Sequence, residues 1–203
     1  MFGLGKEKKD EPRRKSIIRE YTEIIAMAVI LAFFVRTFFI QAFKIPSESM
    51  EDTLLVGDFL FANKFIYGPK FPLVNKRLPS VREPQPGDII IFKYPGDEKT
   101  DYIKRCVAVE GQTVELRGKQ LIVDGVVQDE EYAKYFHGSN YGPFRVPEGH
   151  IFMMGDNRDN SADSRVWGPL DKDLILGKAM FIYYSWNKSS HGIRFSRIGD
   201  IIR

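Results

Sequence analysis

The sequence of 203 residues contains a single cysteine, Cys106, and only three histidines, His137, His150 and His191. One cysteine cannot form a disulfide within the chain, and it cannot supply the sulfur ligands of a cysteine-based metal site. None of the histidines stands in a motif that would supply the base of a Ser-His-Asp triad. Too few ligand-type residues cluster around the histidines for a zinc site. We interpret the histidines as surface or packing residues and Cys106 as a small buried apolar side chain.

A net excess of charge of either sign is also lacking over most of the chain. The formal net charge is +3, and residues 1–20 alone hold seven basic and four acidic side chains, so residues 21–203 sum to zero. A protein that binds nucleic acid usually carries its basic excess on the folded body. The pattern argues against a nucleic-acid partner and indicates a membrane, because the basic residues precede a long apolar stretch.

That stretch runs from Ile24 to Phe43, and Arg36 is its only charged residue. Its length matches the ~20 helical residues that a bilayer core requires. Arg36 lies toward the far end, where its side chain can reach out to the membrane surface. A cleaved signal peptide is one alternative, although the bulky end FFVRTFFI offers no cleavage site of small residues. A buried core helix is the other alternative.

If the apolar stretch is a retained transmembrane span, it divides the chain into three regions. We predict a basic cytoplasmic N-terminus over 1–20, a transmembrane anchor over 21–43 and an exported domain over 44–203, because basic flanks tend to stay in the cytoplasm. Ser49 follows the end of the apolar stretch by only six residues. Six extended residues reach at most roughly 21 Å. Chain length therefore predicts that Ser49 lies near the outer membrane–water boundary.

Beyond residue 45 the pattern is typical of a mostly β domain. Gly118-Lys119 and Asp124-Gly125 mark tight turns between short strands. Residues 68–87 are rich in Pro and Gly and are predicted to form a long loop. The predicted strands are 88–94, 102–109, 113–117, 120–123, 126–127, 151–154 and 179–186.

Lys104 stands within the apolar strand predicted at 102–109. Strand alternation places Tyr102, Lys104, Cys106 and Ala108 on one face and Ile103, Arg105, Val107 and Val109 on the other. A solvent-facing strand edge would explain a lysine here simply. Alternatively, burial lowers its pKa until the neutral amine can accept a proton, as a general base must.

A candidate nucleophile lies in Pro46-Ser47-Glu48-Ser49-Met50, directly after the span. A serine hydroxyl is a poor nucleophile until a base removes its proton, and a neutral lysine could do this without histidine. Taken alone, the string is also what a turn or a helix cap contains.

A dense polar segment, 155–165, follows the apolar string IFMM. If Asp159 were the first ligand of a calcium loop, the sixth position, which requires Gly, would hold Ser164. The twelfth position, which requires Glu, would hold Leu170, so the EF-hand pattern fails. A loop that positions hydroxyls and ion pairs around a buried amine fits better. A plain solvated loop remains an alternative.

Three strings in this order after a single span resemble those of type I signal peptidases: PSESM (46–50), DYIKRCVAVEG (101–111) and GDNRDNSADSRVWG (155–168). GDFLFANKF (57–65) and GDIIIFKYP (87–95) are similar to further stretches of that family, so the resemblance runs from about Phe43 to Trp186. It implies a mostly β fold, with a coiled antiparallel β-sheet catalytic domain after one N-terminal transmembrane helix. The short connection between the second and third strings implies a small hairpin subdomain at about 112–148.

The resemblance also implies the roles of individual residues. Ser49 would be the nucleophile and Lys104 the general base, with the Ser47 hydroxyl and the Ser49 backbone N–H as the oxyanion hole. Ser161 would orient the lysine amine. Two structural ion pairs are implied, Asp163 with Arg165 and Arg105 with Asp156. The positions implied to shape the substrate pockets are Phe43, Ile45, Met50, Leu54, Tyr102 and Ile103.

The implied activity is that of a membrane-bound serine endopeptidase that removes N-terminal signal peptides from exported pre-proteins. It would cut after small residues of the Ala-x-Ala type through an acyl-enzyme, and it would need no metal or organic cofactor. Its partners would be signal peptides and the lipid bilayer, and it would act as a monomer. The implied location is the cytoplasmic (inner) membrane, with the catalytic domain on the outer (periplasmic) face. The alternatives are a self-cleaving Ser–Lys protease and a non-catalytic membrane-tethered β-domain.

The chain departs from the family pattern at two positions of the first string and its continuation. Many members have Gly where this chain has Glu48, and many have Pro where it has Asp52. Neither position carries the implied chemistry, so we expect an effect on loop geometry only.

Overall fold

The computed structural model describes residues 17–71, 76–134 and 137–203. Most of the predicted basic N-terminus at 1–20 and residues 72–75 of the predicted long loop lie outside the described residues. The chain divides into two units, Met1–Val35 and Arg36–Arg203.

The first unit contains most of helix α1, Ile17–Phe38, which is long and apolar enough to cross a membrane. None of its residues is buried. The helix ends five residues before the predicted end of the anchor at Phe43, because Ile40–Lys44 pairs with residues 59–63 as a strand. An apolar stretch alone does not distinguish a helix from a strand.

The second unit is built from two antiparallel sheets and a short helix, α2 (Ser164–Trp167). The strands are β1 (Ile40–Lys44), β2 (Asp58–Asn63), β3 (Ile89–Lys93), β4 (Asp101–Val109), β5 (Thr113–Arg117), β6 (Gln120–Val123), β7 (Val126–Val127), β8 (Tyr141–Arg145), β9 (His150–Met154), β10 (Leu170–Asp171), β11 (Ile175–Asn187) and β12 (Gly192–Ile193). The large sheet has the order β1-β2-β11-β3-β4-β9-β10, and β12 pairs with β11. The small sheet has the order β7-β6-β5-β8.

The predicted fold class, mostly β with one N-terminal apolar helix, is confirmed. All seven predicted strands are present within a few residues of their predicted bounds, while β1, β2, β8, β10 and β12 were not predicted. β8 contains Gly142 and Pro143, residue types that strands disfavour. β10 and β12 are only two residues long, too short for any periodic pattern.

Strand β11 bends the large sheet into the predicted coil. Its first residues pair with β3 and its later residues pair with β2. Three register shifts interrupt these pairings, at Ile175/Gly177, Ala179/Phe181 and Ile182/Tyr184. Such irregularities bend a strand and increase its local twist.

Apolar side chains cover both faces of β3. Ile89 and Ile91 belong to a cluster formed with β2 and β11, whereas Ile90 and Phe92 belong to a cluster formed with β4 and β9. A strand buried on both faces has a continuous apolar sequence rather than an alternating one, which explains the string IIIF. A third cluster joins the small sheet to β4 and β9.

The predicted alternation of faces along β4 holds only as far as Cys106. Ala108 packs with Val107 in the cluster that joins the two sheets, while Val109 packs against the cluster that contains Cys106. The pairing of β4 with β9 shifts register between Cys106 and Ala108. This irregularity reverses the faces of the residues that follow, so the predicted faces of Ala108 and Val109 were wrong.

Candidate active site

The structure brings Ser49 and Lys104 into direct contact. Ser49 lies in the loop between β1 and β2, and Lys104 lies in the middle of β4. The Lys104 Nζ is 2.6 Å from the Ser49 Oγ and donates a second hydrogen bond, 3.1 Å long, to the Ile103 carbonyl oxygen. Only 4% of Lys104 and 7% of Ser49 is exposed. A hydroxyl and an amine at this distance can exchange a proton directly.

Burial changes the acid–base chemistry of Lys104. Strand β4 lies between β3 and β9 in the large sheet, so Lys104 is not at a solvent-facing edge. Desolvation lowers the pKa of Lys104 to about 8, although the negative charges of Asp163 and Asp156 act in the opposite direction. Roughly a tenth of the amine is therefore neutral at pH 7, far more than for a free lysine, and this neutral form can act as a general base.

Two hydrogen-bond donors are available beside the Ser49 hydroxyl. The Ser47 Oγ lies 3.4 Å from the Ser49 Oγ. The backbone N–H of Ser49 donates to no residue in the part of the chain that the structure describes. Both groups predicted to form the oxyanion hole are thus positioned at the candidate nucleophile.

Residues of the polar segment 155–165 form hydrogen bonds with the loop that contains Ser49. The Thr53 hydroxyl donates to the Asp156 Oδ2 at 2.6 Å. The Asn157 backbone N–H donates to the Ser49 carbonyl oxygen, and the Asn157 side-chain amide donates to the Glu48 carbonyl oxygen, each at 3.1 Å. Sequence reasoning gave Asn157 no individual role, and only its place in the third string could have drawn attention to it.

Arg105 and Asp156 form a buried, two-pronged ion pair. The Arg105 Nε and Nη2 donate to the two Asp156 carboxylate oxygens at 2.9 and 2.7 Å. The guanidinium carbon also lies 3.8 Å from the centroid of the Tyr132 ring. The pair joins β4, which carries Lys104, to the segment that supports Ser49.

The second predicted pair, Asp163 with Arg165, is also formed. The Arg165 Nε and Nη2 donate to the Asp163 carboxylate at 2.8 Å each. Asp163 caps the N-terminus of α2 by accepting the Arg165 backbone N–H, and it accepts the Gly155 backbone N–H at 3.1 Å. These contacts fold residues 155–165 into a closed loop.

A third buried ion pair was missed. Arg158 is 1% exposed, and its guanidinium pairs with the Glu130 carboxylate while its Nε donates to the Gly155 carbonyl oxygen. Arg158 belongs to the third string, but Glu130 lies outside every string that was singled out. No signal in the sequence connects the two.

Ser161 does not form the predicted hydrogen bond to Lys104. Its hydroxyl oxygen is buried and has no hydrogen-bond partner among the described residues. It lies against Gly155, where an added Cβ would be 2.3 Å from the Ser161 Oγ and 2.5 Å from the Ser49 carbonyl oxygen. The amine of Lys104 is instead directed to the Ser49 hydroxyl and the Ile103 carbonyl.

The residues predicted to shape the substrate pockets divide into two groups. Four of them are buried in one apolar cluster, with Phe43 packed against it: Ile45, Met50, Leu54 and Ile103. Tyr102 belongs to another cluster, where it stacks on Tyr94 with ring centroids 4.6 Å apart. Its ring centroid lies 5.3 Å from the Lys104 Nζ, so it too borders the dyad.

The two departures from the family pattern lie on the exposed side of the Ser49 loop. Glu48 and Asp52 are both exposed. Asp52 has a φ of 77°, which the ring of proline cannot adopt. The loop of this chain therefore turns differently from one that has proline at this position.

The predicted burial of Cys106 is confirmed, and the histidines are exposed or half-buried. Cys106 is buried, His137 and His191 are exposed, and His150 is half-buried. Across residues 17–71, 76–134 and 137–203, no three His, Cys, Asp or Glu side chains are grouped so that they could hold a metal ion.

Comparison with known proteins gives consistent matches. The family model described as "Signal peptidase, peptidase S26" matches residues 18–186. Signal peptidase I of Pseudomonas fluorescens is 36% identical over 93% of this chain and 81% of its own length. Signal peptidase I P of Bacillus subtilis subsp. natto is 36% identical over 89% of this chain and 97% of its own length. A crystal structure of a signal peptidase I from Enterococcus faecalis V583 is 30% identical, with a TM-score of 0.44 over 49% of this chain and 98% of that chain.

Proposed function

The chain belongs to the signal peptidase family, peptidase S26, and we propose that it removes signal peptides from exported pre-proteins through a dyad of Ser49 and Lys104. It is a serine peptidase, and its N-terminal apolar helix fits a single membrane anchor. The observation that carries the dyad is the 2.6 Å contact between the Lys104 Nζ and the Ser49 Oγ in a buried position.

The geometry supports an acyl-enzyme mechanism. Neutral Lys104 takes the proton of the Ser49 hydroxyl as its oxygen attacks the carbonyl carbon of the scissile bond. The Ser47 hydroxyl and the Ser49 backbone N–H donate to the oxyanion that develops, and each such donor contributes roughly 3 to 4 kcal/mol of stabilisation. Protonated Lys104 then gives its proton to the leaving amine. In the second half, neutral Lys104 takes a proton from the water that hydrolyses the acyl-enzyme.

We assign Ser161 to the orientation of Lys104 during this cycle. Its hydroxyl oxygen is buried without a partner among the described residues and lies beside Gly155, next to the Ser49 carbonyl. A buried hydroxyl without a partner is costly, so a hydrogen bond to the amine in the substrate complex would be favourable.

Cleavage after small residues of the Ala-x-Ala type fits the surroundings of the dyad. Met50, which follows Ser49 in the chain, is buried in one apolar cluster with Ile45, Leu54 and Ile103, so apolar side chains lie next to the nucleophile. Strand β1 is an edge strand of the large sheet. An extended substrate could therefore add its backbone to this edge and place alternate side chains toward the cluster.

We further propose that the N-terminus is cytoplasmic and the catalytic domain lies on the outer face, as a monomer in the cytoplasmic membrane. Six basic residues at 6–15 precede the helix and Arg19 lies in its first turn, and such flanks favour the cytoplasmic side. External protease should digest the catalytic domain in spheroplasts without lysis. Protection until the membrane is opened would contradict this orientation.

The dyad is tested with purified full-length protein in detergent and a separate pre-protein substrate. Ser49→Ala and Lys104→Met should each abolish cleavage, while the exposed control Lys99→Met should cleave at the wild-type rate. Cleavage of a separate substrate also excludes a protein that cuts only itself. Wild-type activity in either dyad variant would contradict the proposal, and an inactive wild-type protein would favour the non-catalytic alternative.

A further inference from the structure

Asn157 fixes the two peptide planes on either side of Ser49. Its side-chain Nδ2 donates to the carbonyl oxygen of Glu48, which belongs to the peptide before Ser49. Its backbone N–H donates to the carbonyl oxygen of Ser49, which belongs to the peptide after it. Both hydrogen bonds are 3.1 Å long, and Asn157 is 3% exposed.

The first of these planes carries the proposed oxyanion donor. A trans peptide is planar, so its N–H points opposite to its C=O. A hydrogen bond that holds the Glu48 carbonyl therefore also sets the direction of the Ser49 N–H. That N–H donates to none of the described residues, which leaves it available for a substrate oxygen.

The Asn157 amide is itself held in one orientation. Its Nδ2 donates to the Glu51 carboxylate at 3.2 Å as well as to the Glu48 carbonyl. Both neighbours are oxygen acceptors, so the nitrogen rather than the oxygen of the amide must face them. The Glu48 carbonyl also accepts the Glu51 backbone N–H at 3.0 Å, so the turn supplies one constraint and Asn157 supplies a second.

We propose that Asn157 is a positioning residue that aims the Ser49 N–H at the developing oxyanion. This inference rests on the proposed function of Ser49. Asn157 forms no hydrogen bond to the Ser49 hydroxyl or to the Lys104 amine. Its contribution should therefore appear in the transition state, where the oxyanion exists, and not in substrate binding.

The test compares Asn157→Ala and Asn157→Asp with the wild-type full-length protein. Both variants retain the backbone N–H but lose the side-chain donor, and Asp also retains the shape. Because one constraint remains, we expect kcat to fall by about 10- to 100-fold, less than the loss of a whole oxyanion donor, with KM unchanged within about threefold. The apparent pKa of the base in the pH–rate profile should stay the same in Asn157→Ala, which adds no charge, whereas the new carboxylate of Asn157→Asp should raise it, as the charge of Asp156 does.

Two inhibitors distinguish a misdirected Ser49 N–H from a general disturbance of the active site. A peptide aldehyde that ends in alaninal forms a hemiacetal oxyanion on Ser49, whereas the corresponding peptide alcohol forms none. In the variants the Ki of the aldehyde should rise by the same factor as kcat/KM falls, and the Ki of the alcohol should not change. Asn160→Ala is the matched control, because Asn160 is exposed in the same loop.

Other results would overturn the inference. These are a kcat within twofold of wild type, a loss confined to KM, or an equal weakening of both inhibitors. If Asn157→Ala melts below the assay temperature, the shape-conserving Asn157→Asp variant decides. If Ser49→Ala keeps its activity, the dyad itself fails. If Ser49→Ala is inactive while the Asn157 variants are normal, only the role of Asn157 fails.

Discussion

The Nζ of Lys104 lies 2.6 Å from the Oγ of Ser49, although 55 positions separate the two residues in the chain. Both side chains are buried, so neither can exchange its partner freely for water. The amine thus loses hydration and gains only a hydroxyl and a backbone carbonyl in return. This environment favours the neutral form of the lysine, and it links the chemistry of the site to pH and to stability.

The rate of cleavage should follow the titration of Lys104. Its pKa is lowered to about 8 by desolvation, and the amine acts as a base only when it has lost its proton. We expect kcat/KM to rise about tenfold per pH unit below this value and to level off above it. A profile measured with a peptide substrate whose own charge is constant would show this. An apparent pKa near that of a free lysine would contradict a desolvated base.

Lys104→Met should stabilise the folded protein below pH 8. The pKa of Lys104 falls from 10.5 in the unfolded chain to about 8 in the folded protein, so the unfolded state binds more protons between these values. The burial of the charged amine therefore costs stability below pH 8, and this cost disappears as the pH rises toward 10.5. The expected gain for Lys104→Met at pH 7 is up to about 3 kcal/mol.

Denaturant unfolding of the catalytic domain at pH 7 and at pH 10.5 measures this gain in free energy of unfolding. Lys99→Met, at an exposed lysine, should change stability little at either pH. A gain of equal size at both values would show that packing, rather than charge burial, is responsible.

Gly155→Ala should displace the nucleophile. Gly155 does not have a positive φ, so backbone strain is not the issue, but an added Cβ would lie 2.5 Å from the Ser49 carbonyl oxygen and 2.3 Å from the Ser161 Oγ. The Ser49 loop has to shift, and a shift of about 1 Å can cost roughly 100-fold in rate. Steady-state kinetics should show this loss in kcat. Gly192→Ala is the control, since its nearest neighbours are 3.8 Å away, and similar kinetics for the two variants would rule out the clash.

Asp156→Asn should destabilise the fold and change the pH profile. It leaves the buried Arg105 guanidinium without its charged partner, a change that costs about 3 to 5 kcal/mol. Asp156 also raises the pKa of Lys104, so its neutralisation should move the profile of kcat/KM to lower pH. Thermal unfolding and the pH–rate profile measure the two effects.

The exposed pair of Glu115 and Arg117 provides the comparison for this variant. Glu115→Gln should change the free energy of unfolding by less than about 1 kcal/mol, because water screens the charges. The double variant Arg105→Met/Asp156→Leu should be more stable than Asp156→Asn, since no charge is left unpaired. If the double variant is less stable than the wild-type protein, the ion pair itself stabilises the fold.

Much of this protein could be predicted from its sequence. The apolar stretch, the basic flank and the alternating segments indicated a helix followed by a β domain, because periodicity and composition act within a single element. Three strings selected Ser49, Lys104 and the polar segment 155–165. The ends of elements were less certain: Ile40–Lys44 is apolar enough for a membrane helix, yet it pairs with β2.

Only the tertiary structure decided which distant segments are in contact and which side chains lose their contact with water. Strand register brings Lys104 to Ser49 and buries it, and no local pattern contains that register. A register shift next to Val107 reverses the faces of Ala108 and Val109. Two further contacts depend on how the loops pack against each other. They are the ion pair of Arg158 with Glu130 and the hydrogen bonds of Asn157 to the Ser49 loop. A lysine becomes a base through desolvation, which is a property of the packed fold and not of the residues beside it in the chain.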